Sequence, residues 1–232
     1  MLDPSQIRAI SLDLDDTLWP IWPTIERAEA VLLQWLQAHA PLTAHMFSST
    51  PMLRALRVQV EQERPDLRHN LMQLRIESIR RALRHAGEDE ALAMPAFEVF
   101  FAERQRVQLY DDALPALEFL AARWPVVAVT NGNSDLQRIG IAHFFQDCWN
   151  VERAGVAKPD AGIFHQAAAA LNVPPHQVLH VGDDAKLDAV AAIDAGMHAV
   201  WLNRRALDWP QQGACAPITV ASLHELCDML AA

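Results

Sequence analysis

The chain has 232 residues, 51% of them hydrophobic, with 29 acidic against 19 basic side chains and a formal net charge of -10. That length suits one large domain, or a core domain with an insert, and the acidic balance disfavours a general nucleic-acid binder, which carries a basic face. No apolar run approaches the ~18 residues of a membrane span, and the first residues lack a secretory signal's basic stretch and apolar core. Three scattered cysteines without a C-x-x-C pair fit reduced thiols. The expectation is therefore a cytoplasmic protein without a membrane or nucleic-acid partner.

The first apolar run, residues 7–14, leads straight into Asp13-Leu14-Asp15-Asp16-Thr17. Side chains alternate along a strand, so Asp13 and Asp15 share a face if the strand persists; if the chain leaves it after Asp13, the two diverge. Like charges this close need a cation or a shared proton. The pair suggests one aspartate as nucleophile, the other as acid and base, and a divalent metal beside them. A solvated acidic turn is the plain alternative.

Residues 23–107 read as an all-helical insert. Segments 25–38, 52–62, 66–86 and 88–107 have helical period and are rich in Leu, Arg, Gln and Ala. Gly87 marks a helix stop, and Pro41, Pro51 and Pro65 mark turns or first helical positions. Asp111 or Asp112 is placed to cap the helix that follows.

From there short apolar runs at 125–130, 147–151, 177–181 and 198–202 follow helical stretches at 113–123, 134–144, 160–171 and 186–195. A strand near 217–220 and a helix from Ser222, with Glu225 completing a capping box, close the pattern. Alternation of this kind predicts a Rossmann-like, doubly wound parallel α/β sheet. The core is residues 1–22 and 108–232, with the helical domain 23–107 inserted.

Three further strand ends carry chemistry. Thr130-Asn131-Gly132 follows 126–129 and offers a hydroxyl and backbone donors where open α/β sheets bind ligands; an ordinary βα turn reads the same way. Lys158-Pro159 precedes a helix, and its lysine can reach a cleft as a point charge. Gly182-Asp183-Asp184 ends another strand, with Gly182 allowing a sharp turn. A third carboxylate, Asp183, converging on the first two supplies hard oxygen ligands for Mg²⁺. Asp184 and Asp188 are assigned to orienting metal waters or Lys158, with helix N-capping as the alternative. His180, inside a strand, is read as a hydrogen-bonded core residue.

With these four motifs in this order, the chain resembles the haloacid dehalogenase-like hydrolases over roughly residues 6–22 and 108–205. The resemblance implies Asp13 as nucleophile and Asp15 as general acid/base. It implies Thr130, Asn131, Gly132 and Lys158 around a phosphoryl group, and Mg²⁺ held by Asp13, the Asp15 carbonyl and Asp183. It also implies that the insert is a helical cap that opens and closes, and that the substrate is a small-molecule phosphate ester. The wording around Trp19, Asn133, His180 and Trp201 is similar to a bacterial subgroup that dephosphorylates flavin mononucleotide and a phosphorylated ribitylaminouracil.

A phosphomutase would keep the same aspartates, and a non-catalytic binding protein would have lost one of them. A haloacid dehalogenase would lack the acid at Asp15 and the metal. Trp19 and Trp22 are expected to pack the hinge rather than stack on a planar substrate. Arg75, Arg80, Arg84 and His69 are expected on a solvated helix face, with contact to a substrate's distal groups as the alternative.

Overall fold

A computed structural model describes residues 3–67, 70–210 and 217–231; the expectation for His69 and the state of Cys215 lie outside the described residues. The chain divides into two compact units. One comprises Met1–Pro20, Gln108–Gly132 and Ile139–Ala232, the other Ile21–Val107 with Asn133–Arg138.

The first unit is built on β1 (Ala9–Leu12), β2 (Val126–Val129), β3 (Asp147–Trp149), β4 (Val178–Gly182), β5 (His198–Leu202) and β6 (Ile218–Val220). They form one parallel sheet in the order β3-β2-β1-β4-β5-β6. This is a doubly wound, Rossmann-like arrangement, and the neighbours of central β1 are β2 and β4. β1, β2 and β4 are buried along their whole length. That is why they read as unbroken apolar runs rather than alternating ones.

The second unit holds α1 (Ile21–His39), α2 (Pro41–Met46), α3 (Thr50–Glu63), α4 (Leu71–Ala86) and α5 (Ala93–Arg104). Its core joins Leu32, Leu36, Leu56, Ile79, Leu83 and Phe97. Gly87 ends α4 in the left-handed region at φ 72°, as its position after the last periodic residue predicts. Two helices start later than their periodicity suggests. Residues 65–67 form a separate 3-10 turn, and Asn70 caps α4 by accepting from Gln73 N at 2.9 Å. Asp89 accepts from Ala91 N at 2.9 Å and opens the 3-10 turn Glu90–Leu92 ahead of α5.

The remaining helices are α6 (Ala113–Ala121), α7 (Leu136–Ile139), α8 (Val151–Ala154), α9 (Ala161–Ala170), α10 (Ala191–Asp194) and α11 (Leu223–Ala231). The single helix expected over 134–144 is instead α7 and a 3-10 turn Ala142–Phe144, parted by Gly140 at φ 90°. Residues 185–190 form a π-helical turn before α10.

Two capping expectations are corrected. Asp112 makes no side-chain cap on α6; its carboxylate accepts from Arg204 at 2.9 and 3.0 Å and caps α11 through Leu223 N at 2.8 Å. At α11, Ser222 Oγ accepts from Glu225 N at 3.2 Å, but Glu225 Oε2 reaches back to Ala221 N at 2.7 Å, one residue before the expected partner. Among the described residues no helix is long and apolar enough to cross a membrane, and Cys148 and Cys227 are free thiols.

Candidate active site

β1 ends at Leu12, so Asp13 is the first residue beyond the ladder, although its N–H still donates to Val181 O at 2.9 Å. The shared-face register of Asp13 and Asp15 is therefore broken. Asp16 turns the chain at φ 60°, and Asp15 forms an isolated bridge with Trp19. The Trp19 indole N–H donates to Asp15 Oδ1 at 2.9 Å, while Trp19 itself is fully buried. Trp19 thus both packs and orients the second aspartate. Trp22 does not pack as expected: it is 50% exposed, with the Arg54 guanidinium 4.5 Å from its ring centroid. Arg75 is likewise not solvated but buried against Glu29, whereas Arg80 and Arg84 pair with Glu77 and Glu90.

The ends of β1, β2 and β4 and the loop before α9 line one cleft of about 180 Å³. Its lining includes Asp13, Asp15, Thr130, Lys158, Asp183 and Asp188. Lys158 Nζ donates to Asp13 Oδ1 and to Asp188 Oδ1, both at 2.6 Å, and all three side chains are buried. Asp13 Oδ2 accepts from the Thr17 hydroxyl at 3.2 Å, and the same hydroxyl lies 3.4 Å from Asp183 Oδ1.

Asn131 is engaged in an unexpected way. Its side chain grips the Lys158 peptide from both sides, accepting from Lys158 N at 2.8 Å and donating to Lys158 O at 2.9 Å. Gly132 N donates to Thr130 Oγ1 at 2.9 Å, which fixes a buried hydroxyl that retains its own hydrogen to give. Asp184 caps the π-helical turn, accepting from Lys186 N and Leu187 N at 2.8 Å, so the capping alternative describes its side chain. Asp188 contacts Lys158 directly. Gly182 has another reason than a sharp turn: a Cβ there would come within 2.3 Å of the Asp188 carboxyl carbon. Only glycine leaves room for that side chain.

One ammonium serves several carboxylates, and the charge balance follows the donors. Asp188 takes Lys158 and His180 on Oδ1 and Asp184 N–H, at 3.0 Å, on Oδ2. Against its burial, Lys158 and His180 hold Asp188 below the usual carboxylate range. Asp13 has fewer donors; burial, reinforced by Asp188 and Asp183, pushes it well above that range despite Lys158. Burial, then the neighbouring Asp188 and Asp16, pushes Asp183 up to about 7. Lys158, with two carboxylates outweighing its burial, is held above its ordinary value. The cleft as built carries excess negative charge.

Asp13, Asp183 and Asp188 each place an oxygen within 4.8 Å of the others. Asp188 takes three donors on its two oxygens and Asp13 two, while the Thr17 hydroxyl lies 3.4 Å from Asp183, so Asp13 and Asp183 are the less satisfied carboxylates and the ones that suit a hard cation. A cation bound there would offset the repulsion that raises their affinity for protons. His180 was legible only as a core residue; its bond to Asp188 had no local signal in the sequence.

Residues 7–196 match the haloacid dehalogenase-like hydrolase family. The chain is 34% identical over 202 residues to the Escherichia coli K12 5-amino-6-(5-phospho-D-ribitylamino)uracil phosphatase YigB, covering 85% of this chain and 84% of that protein. It is 30% identical to the glyceraldehyde 3-phosphate phosphatase of Methanopyrus kandleri, covering 85% and 84%. A 2-haloacid dehalogenase structure from Pseudomonas syringae pv. tomato DC3000 superposes with a TM-score of 0.89 at 34% identity, covering 97% of this chain and 98% of that one.

Proposed function

The chain belongs to the haloacid dehalogenase-like hydrolases and is an enzyme of their phosphatase kind, and we propose that it hydrolyses a small-metabolite phosphomonoester through an aspartyl-phosphate on Asp13. The observation that carries this reading is the buried Lys158 ammonium, 2.6 Å from the Asp13 carboxylate in a cleft that also holds Asp15 and Asp183. A carboxylate and a phosphate repel, and Lys158 offsets that repulsion while stabilising charge spread over the phosphoryl oxygens. Asp13 attacks phosphorus. Asp15, steadied by Trp19, gives its proton to the leaving alkoxide, then takes one from the water that cleaves the acyl phosphate. Thr130 donates its hydroxyl to a phosphoryl oxygen, and Asn131 holds the Lys158 backbone in register.

Asp13, the Asp15 main-chain carbonyl and Asp183 are the residues that would hold Mg²⁺, which when bound supplies positive charge against nucleophile and phosphate. The helical insert, lying between β1 and β2 in the chain, is assigned the role of cap, and the protein is placed in the cytoplasm.

The cleft is smaller than the roughly 300–1,000 Å³ of pockets that enclose a drug-sized ligand, so it takes the phosphoryl end of a substrate. The likeness to YigB favours the phosphorylated ribitylaminouracil as substrate, and the wording of the motifs around Trp19, Asn133, His180 and Trp201 adds flavin mononucleotide as a second candidate. A phosphate-release panel with and without Mg²⁺ tests this, using both compounds, phosphoserine, glyceraldehyde 3-phosphate and a sugar phosphate. Release from none of them at high enzyme concentration would refute hydrolysis; conversion of the sugar phosphate to an isomer would indicate a mutase.

The dehalogenase neighbour supports a second reading, carbon–halogen displacement by Asp13. A halide departs as an anion and needs no proton, whereas an alkoxide does; an aspartate held at position 15 suits the second case. Chloride release from 2-chloropropionate without phosphatase activity would favour the alternative.

A further inference from the structure

We propose that His180, locked by Ser11, is a positioning residue for Lys158, acting through Asp188. The proposal rests on the reading of Lys158 as the cation that meets the transferring phosphoryl group. Ser11 and His180 lie directly opposite each other in the parallel β1–β4 register, and both are fully buried. Their strand neighbours Ile10, Leu12, Leu179 and Val181 are apolar. A polar pair there costs desolvation that two apolar residues would avoid, so stability alone does not explain it.

The hydrogen bonds run in one direction. Asp188, held ionised, only accepts, so His180 Nε2 carries the proton and donates to Asp188 Oδ1 at 3.3 Å. Nδ1 then accepts from the Ser11 hydroxyl at 2.9 Å. Burial keeps the imidazole neutral, consistent with this tautomer. The edge-on Phe164 ring, with centroids 5.0 Å apart, closes the remaining freedom of the imidazole. His180 and Lys158 meet on the same Asp188 oxygen, and Gly182 gives that carboxylate its room.

The consequence appears during turnover. Once Asp13 is phosphorylated its carboxyl no longer carries the charge that holds Lys158 from one side, and Asp188 is the carboxylate left to fix the ammonium. Without His180, Asp188 keeps the Asp184 N–H on Oδ2 but loses the second donor that fixes Oδ1 against Lys158, and a carboxylate less firmly oriented would let Lys158 move off the phosphoryl oxygens when their charge is greatest.

The test compares three variants with wild type in Mg²⁺-supported phosphate release, normalised to the folded fraction. His180→Leu is expected to lower kcat about 10- to 100-fold, as small misplacements of a catalytic group do, with KM changed less than about 2-fold. His180→Gln, whose amide reaches the Nε2 position, restores kcat to within about 3-fold of wild type. His180→Asn, which reaches Ser11 but falls short of Asp188, behaves like the Leu variant. Equal kcat in the Gln and Asn variants, or wild-type kcat in the Leu variant, overturns the proposal. If the Leu variant does not fold, the Gln–Asn comparison decides. Phosphate release by wild type that is lost in Asp13→Asn upholds the functional reading whatever the His180 series shows, so the two can fail separately.

Discussion

Each unit of this chain buries a charged cluster, and the two are built with opposite stoichiometry. In the helical unit one anion, Glu29, is shared by two cations: Arg54 on Oε2 at 2.5 Å and Arg75 on Oε1 at 3.3 Å. In the α/β unit one cation, Lys158, is shared by two anions, Asp13 and Asp188. The excess positive charge has somewhere to go. Arg54 lies over Trp22, and Arg75 lies 4.0 Å over Phe100, so ring faces and delocalised guanidinium groups accommodate it. Carboxylates have no such partner. Their excess appears as raised proton affinity at Asp13 and Asp183, and it calls for an external cation. The first cluster is closed; the second is the one to which the proposed function brings metal and substrate.

Removing the nucleophile from the open cluster, which relieves its excess negative charge, should cost activity rather than fold. Asp13→Asn removes the nucleophile and is expected to lower phosphate release by at least about 1,000-fold while circular dichroism stays native. Lys158→Ala should lower kcat about 100- to 1,000-fold, the range for losing one charged stabiliser of the transition state. Breaking the closed cluster should do the reverse. Glu29→Ala leaves two arginines facing each other and is expected to destabilise the fold by ~3–5 kcal/mol, read by urea denaturation, with kcat of the folded fraction little changed.

The comparison is sharpened by pH. Asp183 binds its proton more tightly in the native state than in the unfolded chain, its pKa being pushed up to about 7. Its contribution to the stability of the metal-free protein is therefore fully present below the ordinary carboxylate range and is lost as pH rises through that value. Mg²⁺ relieves the same repulsion only when the carboxylates are ionised. Its increment in Tm should thus grow between about pH 5 and about pH 8, and an increment that shrinks instead would refute the cation site. The smallest expected effect is at Trp22: Trp22→Ala should weaken flavin mononucleotide more than a simple phosphate if the ring stacks on substrate, and weaken both equally if it serves only Arg54.

Much of this was legible in the sequence. The order of apolar runs and helices predicted the parallel sheet. Strand-end motifs marked Asp13, Thr130 and Asp183, because β-ends in such a sheet converge, and a Lys-Pro ahead of a helix marked Lys158, which the structure places on the loop between α8 and α9 rather than at a strand end. Pairings that depend on long-range geometry were not legible. Asp112 caps α11 rather than α6, and Asn131 grips Lys158, because partners 111 and 27 residues away carry no local pattern. Gly182 reads as a turn residue in one dimension and as clearance for Asp188 in three. Trp22 and Arg75 exchanged their expected environments because each lies beside an ion cluster that helical periodicity does not encode.

The most direct measurement is borohydride trapping of the enzyme quenched during turnover of a good phosphate ester, which reduces a phosphorylated aspartate to homoserine. The account predicts homoserine at position 13. Homoserine at another aspartate, or steady phosphate release with residue 13 left unmodified, would contradict it.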